Sequence, residues 1–93
     1  MPKRVDANQA AIVAALRKAG ASVQSLASIG KGCPDLLVGV SGKRTWLLEV
    51  KSAKGVLTDA EVSWAQTWRG PIAVVRTAEQ ALETCGLLKR RAT

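Results

Sequence analysis

An α/β fold with a mixed sheet between helices is what this sequence predicts, and three observations predict it. The apolar spacing shifts along the chain from a helical period to strict alternation and back again. Two alternating apolar runs, 36–40 and 46–50, flank a short stretch containing Gly42, the pattern of an antiparallel hairpin. A continuous apolar run, Ile72-Ala73-Val74-Val75, follows a helical segment, as in a buried parallel strand. With 93 residues, 47% of them hydrophobic, the chain suits one folded domain, its core over about 6–86 and a basic tail over 87–93.

The elements follow in order as αβββαβα. After a basic lead over residues 1–5, Asp6 is placed to cap the first helix, with Gln9 completing a capping box. Ile12, Val13 and Leu16 recur at helical spacing, Arg17 and Lys18 suit the negative end, and Gly20 closes it. Residues 22–27 alternate as a first strand, and a loop with two glycines leads to the hairpin. Thr58 caps a second helix with Glu61 at the capping-box position, and Trp64 and Trp68 lie four apart on one stripe. That stripe reads first as core packing and second as a surface for another subunit. Thr77 caps the last helix, with Gln80 three residues on, Ala81, Leu82 and Cys85 inward and Gly86 at its end.

The hairpin carries the chemistry: Pro34-Asp35, thirteen residues, then Glu49-Val50-Lys51. Alternation puts Glu49 and Lys51 on one face of their strand. A three-residue turn at 41–43 sets Val40 opposite Arg44 and Asp35 opposite Glu49; a two-residue turn would put Asp35 on the other face. Gly42 suits the positive φ of the longer turn. Two carboxylates and an ammonium then converge, a rational site for a hard divalent cation such as Mg²⁺. The plain alternative is a surface hairpin with a Glu–Lys pair and Asp35 as a turn residue. Leu36, Val38, Leu48 and Val50 face one side and Leu37 and Leu47 the other, so both faces are expected to be covered.

Composition narrows the partners. Fourteen Lys and Arg against seven Asp and Glu leave +7, which favours a polyanion, nucleic acid first. Lys31, Lys43, Arg44 and Lys54 are the cations placed to touch it, although Lys31 reads equally well as part of a connecting loop. With no His and no Tyr, a histidine acid–base pair, a Ser-His-Asp triad and a phosphotyrosyl intermediate are excluded. Cys33 and Cys85 show no metal-ligand spacing and read as small buried thiols. No apolar run reaches membrane-spanning length and no signal peptide is evident, so the expected location is the cytoplasm of a bacterium or phage-infected host.

At the Pro34-Asp35 and Glu49-x-Lys51 positions, with Gly32, Gly55-x-Leu57-Thr58, Trp64, Trp68 and Val74-Val75, the chain resembles the PD-(D/E)xK nucleases. Within them it is most similar to the small stand-alone VRR-NUC type of phages and bacteria. The resemblance implies a restriction-endonuclease-like core and Mg²⁺- or Mn²⁺-dependent DNA cleavage, in some members on four-way junctions as homodimers. It makes Asp35 and Glu49 metal ligands, the Val50 carbonyl a backbone ligand and Lys51 the catalytic lysine. Relatives often carry a glutamate on the first helix, where this chain has Asn8 and Gln9. Gln9 is thus either an amide member of the site or only part of a cap. Glu61, where the family often has Gln, is either near the site or only a cap.

The leading expectation is a metal-dependent DNA endonuclease selective for branched structures. The competing one is a non-catalytic nucleic-acid-binding module on the same fold, for which the helix-1 amides argue. A toxin-like RNA nuclease fits the charge but not the absence of His.

Overall fold

A computed structural model describes residues 7–88. Its elements are α1 (Gln9–Lys18), β1 (Ser22–Ser25), β2 (Leu36–Gly39), β3 (Trp46–Val50), α2 (Asp59–Thr67), β4 (Ile72–Val75) and α3 (Ala78–Thr84). The four strands form one sheet in the order β1-β2-β3-β4. The first two pairings are antiparallel and β3 with β4 is parallel, with α2 as the crossover that a parallel pair requires. The result is a mixed sheet between helices, in the element order the sequence predicts.

One face of the sheet holds the core. Leu36 and Val38 from β2, Leu48 and Val50 from β3, and Val75 from β4 are buried there under Ile12 and Leu16 of α1 and Ala81 and Cys85 of α3. Each large aliphatic side chain so buried contributes about 1.5–3 kcal/mol relative to exposure. These are the positions that alternation and the helical period selected.

The other face is covered only in part, with Leu47, Asp35 and Glu49 buried on it. Leu37 is 37% exposed and Val74 41% exposed on that side. The only buried residue of α2 is Glu61, so this helix meets the sheet through a polar contact rather than an apolar stripe. Trp64 and Trp68 do stack, with centroids 5.0 Å apart, but Trp68 is 45% exposed and neither is a core residue. Helix α2 ends at Thr67, leaving Trp68 with extended backbone.

β4 corrects a second expectation. It is parallel, as its apolar run implied, but it is an edge strand and half exposed. The run cannot reveal this from within, because edge position depends on whether another strand follows.

The hairpin turn agrees with the three-residue reading. Leu36 pairs with Leu48, Leu37 with Leu47 and Val38 with Trp46. Continued outward, that register sets Val40 against Arg44 and Asp35 against Glu49. Gly42 takes φ +73°, and the Lys43 N–H closes the turn on the Val40 carbonyl at 3.0 Å.

Candidate functional site

Asp35 is delivered by an unusual loop. Gly30, Lys31 and Gly32 all have positive φ, at 67°, 55° and 86°, and for Lys31 that conformation carries a strain cost. Gly32 is pressed against the start of α2: a Cβ there would collide with the Ala60 carbonyl and lie 3.0 Å from the Glu61 nitrogen. Cys33 and Pro34 are buried behind it, and Asp35 follows at 1% exposure. The Asp35 carbonyl accepts from Leu26 N–H at 2.7 Å, and its carboxylate oxygen Oδ2 accepts from Val50 N–H at 2.7 Å. Backbone and side chain are thus tied to two different segments.

Glu49 and Lys51 stand on the same face at the end of β3, as alternation requires. Glu49 is 4% exposed and Lys51 8%. The Lys51 ammonium lies 2.8 Å from Glu61 Oε1 and 3.6 Å from Glu49 Oε2. The same Glu61 oxygen accepts from Thr58 N–H at 2.8 Å, while Thr58 Oγ1 accepts from Glu61 N–H at 3.2 Å. The two readings of Glu61, cap or site residue, are therefore both true of one atom. Removing either partner of so buried a pair leaves a charge uncompensated, at a typical cost of about 3–5 kcal/mol.

Pro34 adds a feature that spacing alone did not show. The register continued past Asp35 sets Pro34 opposite Val50. Proline has no N–H, so the ladder offers the Val50 carbonyl no donor. Val50 N–H turns to the Asp35 carboxylate instead. Two carboxylates and a backbone carbonyl at one strand end are hard oxygen donors, the set that Mg²⁺ or Mn²⁺ takes together with water. Among the described residues no three His, Cys, Asp or Glu side chains gather as a metal cluster by themselves. A metal here would therefore depend on that carbonyl and on water.

The first helix departs from the capping-box expectation. α1 begins at Gln9 with Asn8 as its N-cap, so Gln9 cannot be the third residue of a box; Asp6 lies outside the described residues. Asn8 Nδ2 donates to the carbonyls of Lys51, at 3.0 Å, and Arg76, at 2.7 Å, clasping the ends of β3 and β4. Gln9 is 6% exposed, and its Oε1 is buried with no hydrogen-bond partner among the described residues.

Arg76 was missed by sequence reasoning. Its Nη1 donates to the carbonyls of Ser52, at 2.6 Å, and Gly55, at 2.7 Å, and so anchors the loop after Lys51. A single arginine ending an apolar strand gave no signal of that role. A cleft of about 180 Å³ opens beside the site, between Glu49 and Glu61 and the apolar Pro34, Leu57, Ala65 and Val74.

The four cations divide into two pairs. Lys31 and Lys54 are exposed on the loops that enter and leave the site. Lys43 and Arg44 are exposed at the opposite end of the hairpin, roughly 17 Å away at about 3.3 Å per residue. Both cysteines are free and buried, and burial raises the Cys85 thiol pKa, which makes it a poor nucleophile. No helix among the described residues is long and apolar enough to cross a membrane.

No family model, curated protein or solved structure matches the chain.

Proposed function

We propose that this chain is a divalent-metal-dependent DNA endonuclease of the PD-(D/E)xK type, with a restriction-endonuclease-like core and a preference for branched DNA. One observation carries the reading. Asp35 and Glu49 are paired across the end of the hairpin, Lys51 shares their face, and Pro34 leaves the Val50 carbonyl without a ladder donor. A hairpin kept only for stability has no use for burying that set at a polar strand end.

Asp35, Glu49 and the Val50 carbonyl would hold Mg²⁺ or Mn²⁺. When bound, such an ion lowers the pKa of water and offsets charge developing on a phosphodiester. The protein's own part is positional. Val50 N–H fixes one Asp35 oxygen, and Glu61 holds the Lys51 ammonium where it can meet the attacked phosphate or orient water. Lys31 and Lys54 neutralise phosphates at the site, and Lys43 and Arg44 meet the nucleic acid farther along. Gln9, buried on α1, is the candidate amide member of the site. Branched substrates fit a small basic domain that, among the described residues, is the nuclease-type core alone.

The test is cleavage of a labelled four-way junction, a flap, linear duplex and single strand, with Mg²⁺, with Mn²⁺ and with chelator. Wild type is compared with Asp35→Asn, which keeps an oxygen for Val50 N–H. Metal-dependent cutting that falls at least about a hundredfold in the variant supports the reading. Binding of junctions without cutting in any metal would make the chain a nucleic-acid-binding module. Equal cutting of junction and linear DNA would remove the preference for branches.

A further inference from the structure

Helix α2 and β4 face each other across a gap. Glu61 is the only buried residue of α2, so no apolar side chain of the helix is buried against the sheet. The cleft of about 180 Å³ beside Glu49 occupies that gap. Leu57 and Ala65 line it from the helix side, Ile72 and Val74 from β4, and Pro34 from the entry to the hairpin. Ala65 keeps it open: it lies one turn after Glu61 on the same side of the helix, and its side chain is a single methyl. Val74 stands beside Glu49 in the parallel register, so the apolar wall runs directly into the site, and it remains 41% exposed. The charged groups of the cleft are the carboxylates of Glu49 and Glu61, which accept hydrogen bonds and, when ionised, donate none. An apolar slot with acceptors at one end suits a flat, uncharged group with N–H donors on its rim.

We infer that this slot takes an unpaired nucleobase of the strand held at the site, one that carries an exocyclic amino group. The inference rests on the DNA reading above and adds what that strand must offer, a base free to leave the stack. Charge selects the occupant. A phosphate entering the slot meets carboxylates and no cation, whereas Lys31 and Lys54, exposed on the loops that enter and leave the site, attract the backbone outside it. A strand so held has its bases to place between the apolar walls, and an extruded base is read there by burial of its faces and by hydrogen bonds to its pairing edge. Cytosine and adenine carry an amino group where thymine carries a carbonyl oxygen, and a glutamate accepts from the first and not from the second. Extrusion costs least where the base has no partner, as at a branch, a gap or a bulge.

The experiment is read in chelator, so that no strand is cut. A short duplex with one unpaired 2-aminopurine, an amino-bearing base that brightens on leaving the stack, is titrated with wild type, Ala65→Leu and Gln66→Leu. Leucine at 65 is placed to fill the slot, and leucine at 66 adds the same side chain on an exposed side of the helix. Wild type and Gln66→Leu are expected to brighten the base on binding, with the rise lost in Ala65→Leu. A second arm needs no variant to fold: wild type is expected to bind a duplex with one unpaired cytosine about tenfold more tightly than one with an unpaired thymine or an abasic site. Bound DNA whose base stays dark, equal brightening by Ala65→Leu, or equal binding of the cytosine, thymine and abasic duplexes would overturn the proposal and leave the nuclease reading standing. So would an arginine-bearing tripeptide that binds wild type better than Ala65→Leu while both brighten the base alike, since the occupant would then be another polypeptide. No binding of any DNA would overturn both, and a base-dependent signal without cleavage in Mg²⁺ or Mn²⁺ would overturn the nuclease reading alone.

Discussion

Val50 gives its N–H to the carboxylate of Asp35, at 2.7 Å, and not to the carbonyl of Pro34 that faces it in the β2–β3 register. The β2–β3 ladder ends at Leu36 and Leu48, two residues before Val50, and proline at 34 leaves the Val50 carbonyl no ladder donor.

Pro34→Ala tests that arrangement. Alanine restores an N–H opposite Val50, and the regained ladder bond competes for the carbonyl. On the nuclease reading, half-maximal cleavage is expected to need on the order of ten times more metal. The fold should hold to within about 1 kcal/mol, because one hydrogen bond is gained as proline's rigidity is lost. Metal titrations of cleavage alongside urea melts measure both.

Glu61→Gln separates the two duties of one oxygen. The amide oxygen can still accept from Thr58 N–H, so the helix start is kept, but the charge facing Lys51 is gone. Cleavage is expected to fall about tenfold, with stability changed by less than the 3–5 kcal/mol typical of an orphaned buried charge, since the amide oxygen still meets the ammonium. Glu61→Ala loses the cap as well, at about 0.5–2 kcal/mol more. Wild-type cleavage by Glu61→Gln would count against the ion pair as a positioning contact, and equal urea melts of the two variants would count against the cap.

Gly32→Ala is expected to be far costlier than Gly20→Ala. Both positions have positive φ, but a Cβ at 20 meets nothing within 4 Å, whereas one at 32 strikes the Ala60 carbonyl. The first pays about 1 kcal/mol of backbone strain. The second adds a collision with backbone that cannot rotate away, for a total of about 2–4 kcal/mol. Denaturant midpoints of the two variants give the comparison directly.

Much of this was legible in the residues, and for stated reasons. Gly42 and the period of two set the register, so the pairing of Asp35 with Glu49 is legible in the residues alone. Thr58 with Glu61, and Thr77 before Gln80, announced their helices through short-range bonding that needs no tertiary context; only the Gln80 side chain differs, accepting from Arg76 N–H. The failures were tertiary. The apolar content of β4 looked the same for a central strand and for an edge. The Trp64–Trp68 stripe looked like core because spacing reports which residues share a face, not what lies against that face. Asn8 and Arg76 act on carbonyls distant in sequence, and no pattern along the chain records such bonds.

Cys85 should make stability fall at high pH. Burial raises its thiol pKa above 9.0, the ordinary value, so the unfolded chain gives up that proton first. Its contribution is complete below the unfolded pKa and is lost as pH rises toward the folded one. Urea melts at pH 7.5 and at about pH 10, on wild type and Cys85→Ala, are expected to show the larger drop for wild type. Parallel drops would mean that the thiol is not the group responsible.

Glu61 Oε1 also makes the first turn of α2 a reporter. Because Thr58 N–H and the Lys51 ammonium share that oxygen, anything that draws the ammonium away changes the electrostatic support of the helix start. Linkage is reciprocal, so fraying of α2 must in turn loosen the lysine. An engineered change at Thr58, a solvent-exposed residue seven positions from Lys51, would then tune the amine through Glu61 without contacting the amine itself.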